Sequence, residues 1–310
     1  MKHVVLFSSI CFLAIGCGDD GGVGGDPDAA EALACPALGA EPVDPGMICP
    51  TAVATAWTTT NGQPTEVGVA DFSCLNTPTD DMTSTVEINL TGQIRDFQNG
   101  TAVADPSIEA FPGVDFNNVI GTATGDGNGD YAVTVPSGQT RVGFKVSATD
   151  YLDTYLLNQY FDPGTADQGL NIEAISVATA DLIPALIGLQ RTPGLGVLAA
   201  AIRDCNGDTV KDVIATVSGT SGAVDSLSGG QTYYFNGGLP TNHTVMQQTN
   251  TDGLFVSLEL PASATAYMQV WGFVDGQDPA TDDLTLIAEL ASPIVGDTVI
   301  SVSLFPLRSN

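Results

Sequence analysis

Histidine and basic side chains are nearly missing from this chain. Its 310 residues hold 2 His and 8 Lys plus Arg against 36 Asp plus Glu, a formal net charge of −28. A surface so acidic repels phosphate backbones, and no cluster of Lys or Arg offsets it, so nucleic-acid binding is excluded as an expected role. The acidic surplus suits an exported protein that must stay soluble. Beyond the amino terminus the only histidine is His243, so a zinc site needing a second histidine cannot be assembled. A serine triad would need His243 as base, yet no G-x-S-x-G elbow is present, and His243 reads as a loop residue beside the turn Gly237-Gly238-Leu239-Pro240. Among 36 acidic residues a glycosidase-type carboxylate pair carries no specificity. No catalytic residue, metal or cofactor is expected, and the chain reads as a non-enzyme.

Long apolar runs are also scarce. Val4 to Ile15 is uncharged and apolar but too short to span a bilayer, and Ala174 to Leu189 is broken by Asp181 and Pro184. The first run follows Met1-Lys2-His3 and ends in Leu13-Ala14-Ile15-Gly16-Cys17, which resembles the lipobox of bacterial lipoproteins, with Ala14 where leucine is usual. That resemblance implies a signal peptide over 1–17, lipidation of Cys17 and attachment to a membrane through acyl chains rather than a helix. The rival is an ordinary secretory signal. Residues 18–34 are Gly/Asp-rich and read as a disordered, flexible tether. Gly18 after the cysteine lacks the usual inner-membrane retention signal, so the expected location is the outer membrane or cell surface.

Export makes an oxidising compartment the expectation. With Cys11 removed and Cys17 acylated, Cys35, Cys49, Cys74 and Cys205 remain, an even number that allows two disulfides in three connectivities. The preferred pairing is a local Cys35–Cys49 staple, which leaves Cys74 with Cys205.

What the chain does contain is a clear two-residue period. Val86, Ile88 and Leu90, then Tyr131, Val133 and Val135, then Val142, Phe144 and Val146 alternate with polar residues, as strands with one buried face do. Gly125-Asp126-Gly127-Asn128-Gly129-Asp130 and Pro136-Ser137-Gly138 supply turns between them. The run from Gly92-Gln93-Ile94-Arg95-Asp96 through Asn128 to Gly138 and on to Ser147-Ala148-Thr149-Asp150-Tyr151-Leu152 resembles the carboxypeptidase regulatory-like domain. The resemblance implies a transthyretin-like (prealbumin-like) sandwich, related in fold to carbohydrate-binding-like modules, and carries no catalytic residues with it.

A second copy follows. Ile202-Arg203-Asp204 repeats Ile94-Arg95-Asp96, and Thr251-Asp252-Gly253-Leu254-Phe255 through Pro261 repeats the turn, strand and Pro-turn. The Gly/Ser-rich run Ser218 to Gly230 is the natural place for the longer spacing of the second copy. The expected fold is all-β: two tandem Greek-key sandwiches over 84–175 and 196–310, joined by a helical linker over 176–195 and preceded by a disulfide-stapled irregular collar over 35–83. The helix is expected over Ser176 to Gln190, capped by Thr179, with Leu182, Leu186 and Leu189 as its apolar face. Trp57 is expected to anchor the collar to the first sandwich.

Two side-chain sets invite a binding reading. Asp126, Asn128, Asp130 and Asp204, Asn206, Asp208 share the first spacings of a calcium loop, but Tyr131 and Thr209 replace its glycine, and Ser137 and Ala215 its glutamate. Both read as turns. Tyr233, Tyr234, Phe235 and Trp271 are the raw material of a sugar-binding face, although adjacent strand residues point to opposite sides, so at most Tyr233 and Phe235 share one. The function expected is a non-catalytic, lipid-anchored envelope protein displaying structural or binding modules, with a glycan or a surface protein as candidate partner; a carbohydrate-binding module is the alternative and a hydrolase a distant third.

Overall fold

The computed structural model describes residues 49–309 apart from 225 and 243. Cys17, Cys35, His243, the lipobox and the tether therefore lie outside the described residues. Within them the chain is built of strands with one α-helix.

The lead-in is a hairpin. Strands β1 (Thr55–Thr60) and β2 (Gln63–Val69) pair antiparallel with Thr60 opposite Gln63. Asn61 and Gly62 at the tip have φ of 52° and 75°, as a two-residue turn with matching twist requires. This corrects the irregular collar expected here: Asn-Gly directly after a run of β-branched threonines is itself a hairpin signal. Trp57 is corrected too. It lies on β1 opposite Thr209, in the second half of the chain, and the Lys211 ammonium sits 5.9 Å from its ring centroid.

The first repeat runs through β3 (Ile88–Asp96), β4 (Ser107–Pro112), β5 (Gly121–Thr124), β6 (Asp130–Val135), β7 (Arg141–Ser147), β8 (Asp153–Tyr160), β9 (Asp167–Gly169) and β10 (Ile172–Ala174). The helix α1 (Val177–Ala185) follows. The second repeat has β11 (Gly196–Ile202), β12 (Thr209–Lys211), β13 (Ile214–Ser218), β14 (Gln231–Asn236), β15 (Leu239–Thr241), β16 (Leu254–Leu260), β17 (Ser263–Gly272), β18 (Thr285–Ile294) and β19 (Thr298–Leu304).

The strand pairings of the first repeat recur in the second. Strand β3 pairs antiparallel with β6 and parallel with β10, and β11 pairs antiparallel with β16 and parallel with β19. The antiparallel series β4–β7–β8 corresponds to β13–β17–β18. A backbone hydrogen bond to a turn glycine repeats as well: the Ile94 amide donates to the Gly129 carbonyl at 2.9 Å, and the Ile202 amide to the Gly253 carbonyl at 2.9 Å.

The two repeats are not separate bodies joined by the helix alone, as the tandem expectation had them. Strand β19 inserts its free edge against β8, parallel, with Thr298 to Ser301 opposite Asp153 to Leu156. One nine-stranded sheet, β15-β14-β16-β11-β19-β8-β7-β4-β5, therefore runs through both. Closing two edges on each other satisfies backbone groups that would otherwise be exposed templates for another chain.

The shared sheet places the two cores on opposite faces. Tyr155 and Ile300, paired across the seam, belong to the core that packs Leu198, Ile202, Phe255 and Val302 against Val217, Met268 and Val270. Their neighbours Leu156 and Ser301 face the other way, and on that face Ile108, Phe144 and Val146 pack against Ile88, Leu90 and Val133. The alternating residues read from sequence on β6 and β7, Tyr131 to Val135 and Val142 to Val146, are all buried.

The helix departs from its sequence reading. Ser176, not Thr179, is the cap, its hydroxyl accepting from the Thr179 amide at 3.3 Å, and the helix ends at Ala185. Leu182 and Leu186, expected to point inward, are 38% and 47% exposed, while Thr179, Ala180 and Pro184 are buried.

Cys74 and Cys205 form a disulfide across 131 residues of chain. It clamps a strap on which the Asp71 amide donates to the Asp204 carboxylate at 3.1 Å and the Cys205 amide to the Asp71 carbonyl at 2.9 Å. Cys49 is also disulfide-bonded.

Candidate functional site

Because the cores lie on opposite faces, the second repeat's part of the shared sheet is left with one face that the first repeat's small sheet does not fully cover. A cavity of about 300 Å3 sits there. Its floor comes from alternate residues of four adjacent strands: Leu156 on β8, Val299, Ser301 and Ser303 on β19, Val197 and Ala199 on β11, and Leu254, Val256 and Leu258 on β16. Phe235 of β14 closes one side, Ala180, Ile183 and Pro184 of α1 another, and the β3–β10 edge the third.

Two charged residues line this space, Arg95 and Glu173, opposite each other in the parallel β3–β10 register. Arg95 is exposed, its Nε donating to Gln93 Oε1 at 2.6 Å. Glu173 is half-buried, and burial pushes its carboxyl up to about 7 while the Arg95 guanidinium pulls it back. The hydroxyls of Ser301 and Ser303 bond to no partner among the described residues. Ser301 and Ser303 alternate along β19 with the buried Ile300, Val302 and Leu304, and the face they form lines the cavity.

The aromatic set is placed elsewhere. Tyr233, Tyr234, Phe235 and Trp271 are 4%, 1%, 8% and 8% exposed, so they form no open platform. Tyr233 and Phe235 share a face, as the pleat requires, and pack with Ile187, Val256 and Leu258. Tyr234 enters the core of the second repeat, where its oxygen accepts from the Ala215 amide at 2.9 Å. Trp271 packs with Ile214, Phe273 and Leu284 in a third cluster, its ring nitrogen donating to Gln269 at 3.1 Å. Of the four, Phe235 alone also borders the cavity.

The two Asp-rich turns are one construction used twice. Asp126 Oδ1 accepts from the Asn128 and Asp130 amides at 2.8 and 3.0 Å, and Asp204 Oδ1 from the Asn206 and Asp208 amides at 2.9 and 3.0 Å. The amide bonds hold Asp126, in open solvent, below the usual carboxylate range, whereas burial drives Asp204 above it. These carboxylates cap turns, and no group of three metal-ligating side chains occurs among the described residues.

No family model matches the chain, and no curated protein matches it. Similar solved structures include the shaft pilin SpaA of Lactobacillus rhamnosus GG, 13% identical over 73% of this chain and 98% of the pilin, with a TM-score of 0.19. Another is a candidate carbohydrate-binding protein from Bacteroides uniformis, 10% identical over 66% of this chain and 98% of that one, with a TM-score of 0.23. A 9R-lipoxygenase from Cyanothece is 15% identical over 33% of this chain, which spans 19% of the lipoxygenase, with a TM-score of 0.19. Scores of this size do not establish a shared fold.

Proposed function

We propose that this chain is a non-catalytic cell-envelope protein, anchored by lipid at Cys17 to the outer membrane or cell surface, that holds two fused carboxypeptidase regulatory-like sandwiches as one rigid module for structural or binding roles. The observation that carries this reading is the β8–β19 seam. A shared sheet with a core on each face resists bending between the repeats, which suits a spacer or scaffold and not a pair of mobile domains closing on a substrate. The lipobox-like ending at Cys17 supports the anchor.

The carbohydrate-binding alternative loses its proposed contact residues, because Tyr233, Tyr234 and Trp271 are committed to packing. Metabolic labelling with an alkyne fatty acid, followed by membrane fractionation, tests the anchor. The intact chain takes up label and sediments with membranes, and Cys17→Ala abolishes both. Label retained by the variant, or an unlabelled soluble wild type, overturns it.

A further inference from the structure

We propose that the cavity between α1, the β3–β10 edge and the shared sheet binds a single-chain amphiphile with a carboxylic head and about eight to ten carbons in all, a medium-chain fatty acid in size, since about ten to twelve heavy atoms at about 25–30 Å3 each fill about 300 Å3. The chain lies on the floor of Val197, Ala199, Val256 and Leu258, and the head reaches Arg95 and Glu173. This site goes beyond the scaffold role and stands without the anchor, since Cys17 takes no part in it.

Three observations converge on that chemistry. The floor strands carry no charge: their polar groups are the Ser301 and Ser303 hydroxyls, which leave room for ordered water or a polar atom of the ligand, and on β8 Thr154 and Gln159, which donate to the Leu152 and Leu157 carbonyls, so nothing there holds an ionic group. Both charges lie together on the β3–β10 edge, so a ligand must carry its polar end on that side only. Arg95 offers the guanidinium that matches a carboxylate. Glu173 faces Arg95 from the neighbouring strand, and neither α1 nor the floor strands add a charged residue to the lining. With its carboxyl pushed up to about 7, Glu173 takes a proton in mildly acidic solution and then donates to the incoming carboxylate instead of repelling it.

The rim points the same way. Leu182, Leu186 and Leu239 are exposed beside the side chains of Phe97, Ile183 and Phe235, and these last three border the cavity as well. An apolar rim that continues into an apolar floor guides a hydrocarbon chain inward without crossing a polar barrier.

Calorimetric titration of the full chain with decanoic acid and decanol at pH 6, repeated on Arg95→Gln and Ala199→Phe, tests the site. Decanoate saturates one site with a Kd below about 100 μM. Arg95→Gln weakens decanoate by about tenfold or more while changing decanol less than about twofold, as loss of a charge-assisted bond predicts. Ala199→Phe fills the floor and abolishes binding of both. The absence of saturable decanoate binding up to about 1 mM overturns the proposal. So does decanoate affinity that Arg95→Gln leaves unchanged, or an equal loss of decanol in that variant. Should Ala199→Phe lose its native circular dichroism, the Arg95→Gln comparison, made at an exposed position, decides alone.

Discussion

Ile300 lies directly opposite Tyr155 across the parallel seam, and both side chains enter the same buried core, 0% and 7% exposed. That pair carries packing from one repeat into the other, so a cavity made there is felt by both. Replacing Ile300 by Ala is expected to cost about 2–5 kcal/mol in urea-induced unfolding. A loss below about 1 kcal/mol would mean that the seam contributes little.

The repeated glycine contact makes a paired prediction. A Cβ on Gly129 would lie 2.6 Å from the Ile94 carbonyl oxygen, and one on Gly253 2.8 Å from that of Ile202, with φ of +75° and +63°. Gly129→Ala and Gly253→Ala should each destabilise by about 1–3 kcal/mol, because the backbone is strained and the added carbon meets a carbonyl. Gly127→Ala, with nothing within 4 Å, is the control and should stay within about 0.5 kcal/mol of wild type. Chemical denaturation of the three variants checks the ranking.

Much of the fold was legible because β6 and β7 bury one side only, so their apolar residues alternate, and because Asp-x-Asn-Gly-Asp and Pro-Ser-Gly are turn chemistry wherever they occur. The seam was not. Parallel pairing of β8 with β19 joins residues far apart in sequence, and a strand that ends a sheet shows the same alternation as one that continues it. The cavity was hidden for the related reason that Ser301 and Ser303 alternate with buried residues just as a solvent face would. The helix misled because Leu182 and Leu186 keep an inward-looking spacing, while the face that packs is made of Thr179, Ala180 and Pro184.

The Cys74–Cys205 bridge closes a loop of 131 residues. Opening it should cost about 2–5 kcal/mol by releasing chain entropy in the unfolded state. Thermal unfolding of Cys74→Ala/Cys205→Ala measures this, and an unchanged midpoint would show that the hydrogen bonds joining Asp71 to Asp204 and to the Cys205 amide hold the strap alone.

Glu173 gives a pH signature. Its carboxyl, ordinarily near 4.5, is pushed up to about 7 by burial, so the folded state holds this proton more tightly than the unfolded one. The associated stability is complete below about pH 4.5 and is lost as pH rises through about 7. Between pH 5 and 7.5 the wild type should lose about 1–2 kcal/mol more than Glu173→Gln, after discounting for solvent screening. Urea titrations at the two pH values give the difference, and parallel curves for the two proteins would contradict the assignment.

Coupling between the repeats is open to one clean observation, because both tryptophans sit against the second repeat: Trp57 on β1 pairs with Thr209, and Trp271 packs with Ile214 and Phe273. Leu90, 0% exposed, belongs to the core of the first. Following tryptophan fluorescence during thermal unfolding of Leu90→Ala therefore reports on the second repeat after damage to the first. If one sheet unites them, the fluorescence midpoint falls together with that seen by far-ultraviolet circular dichroism. A tryptophan transition unmoved from wild type, with a separate earlier loss of ellipticity, would show two independent sandwiches and contradict the rigid module.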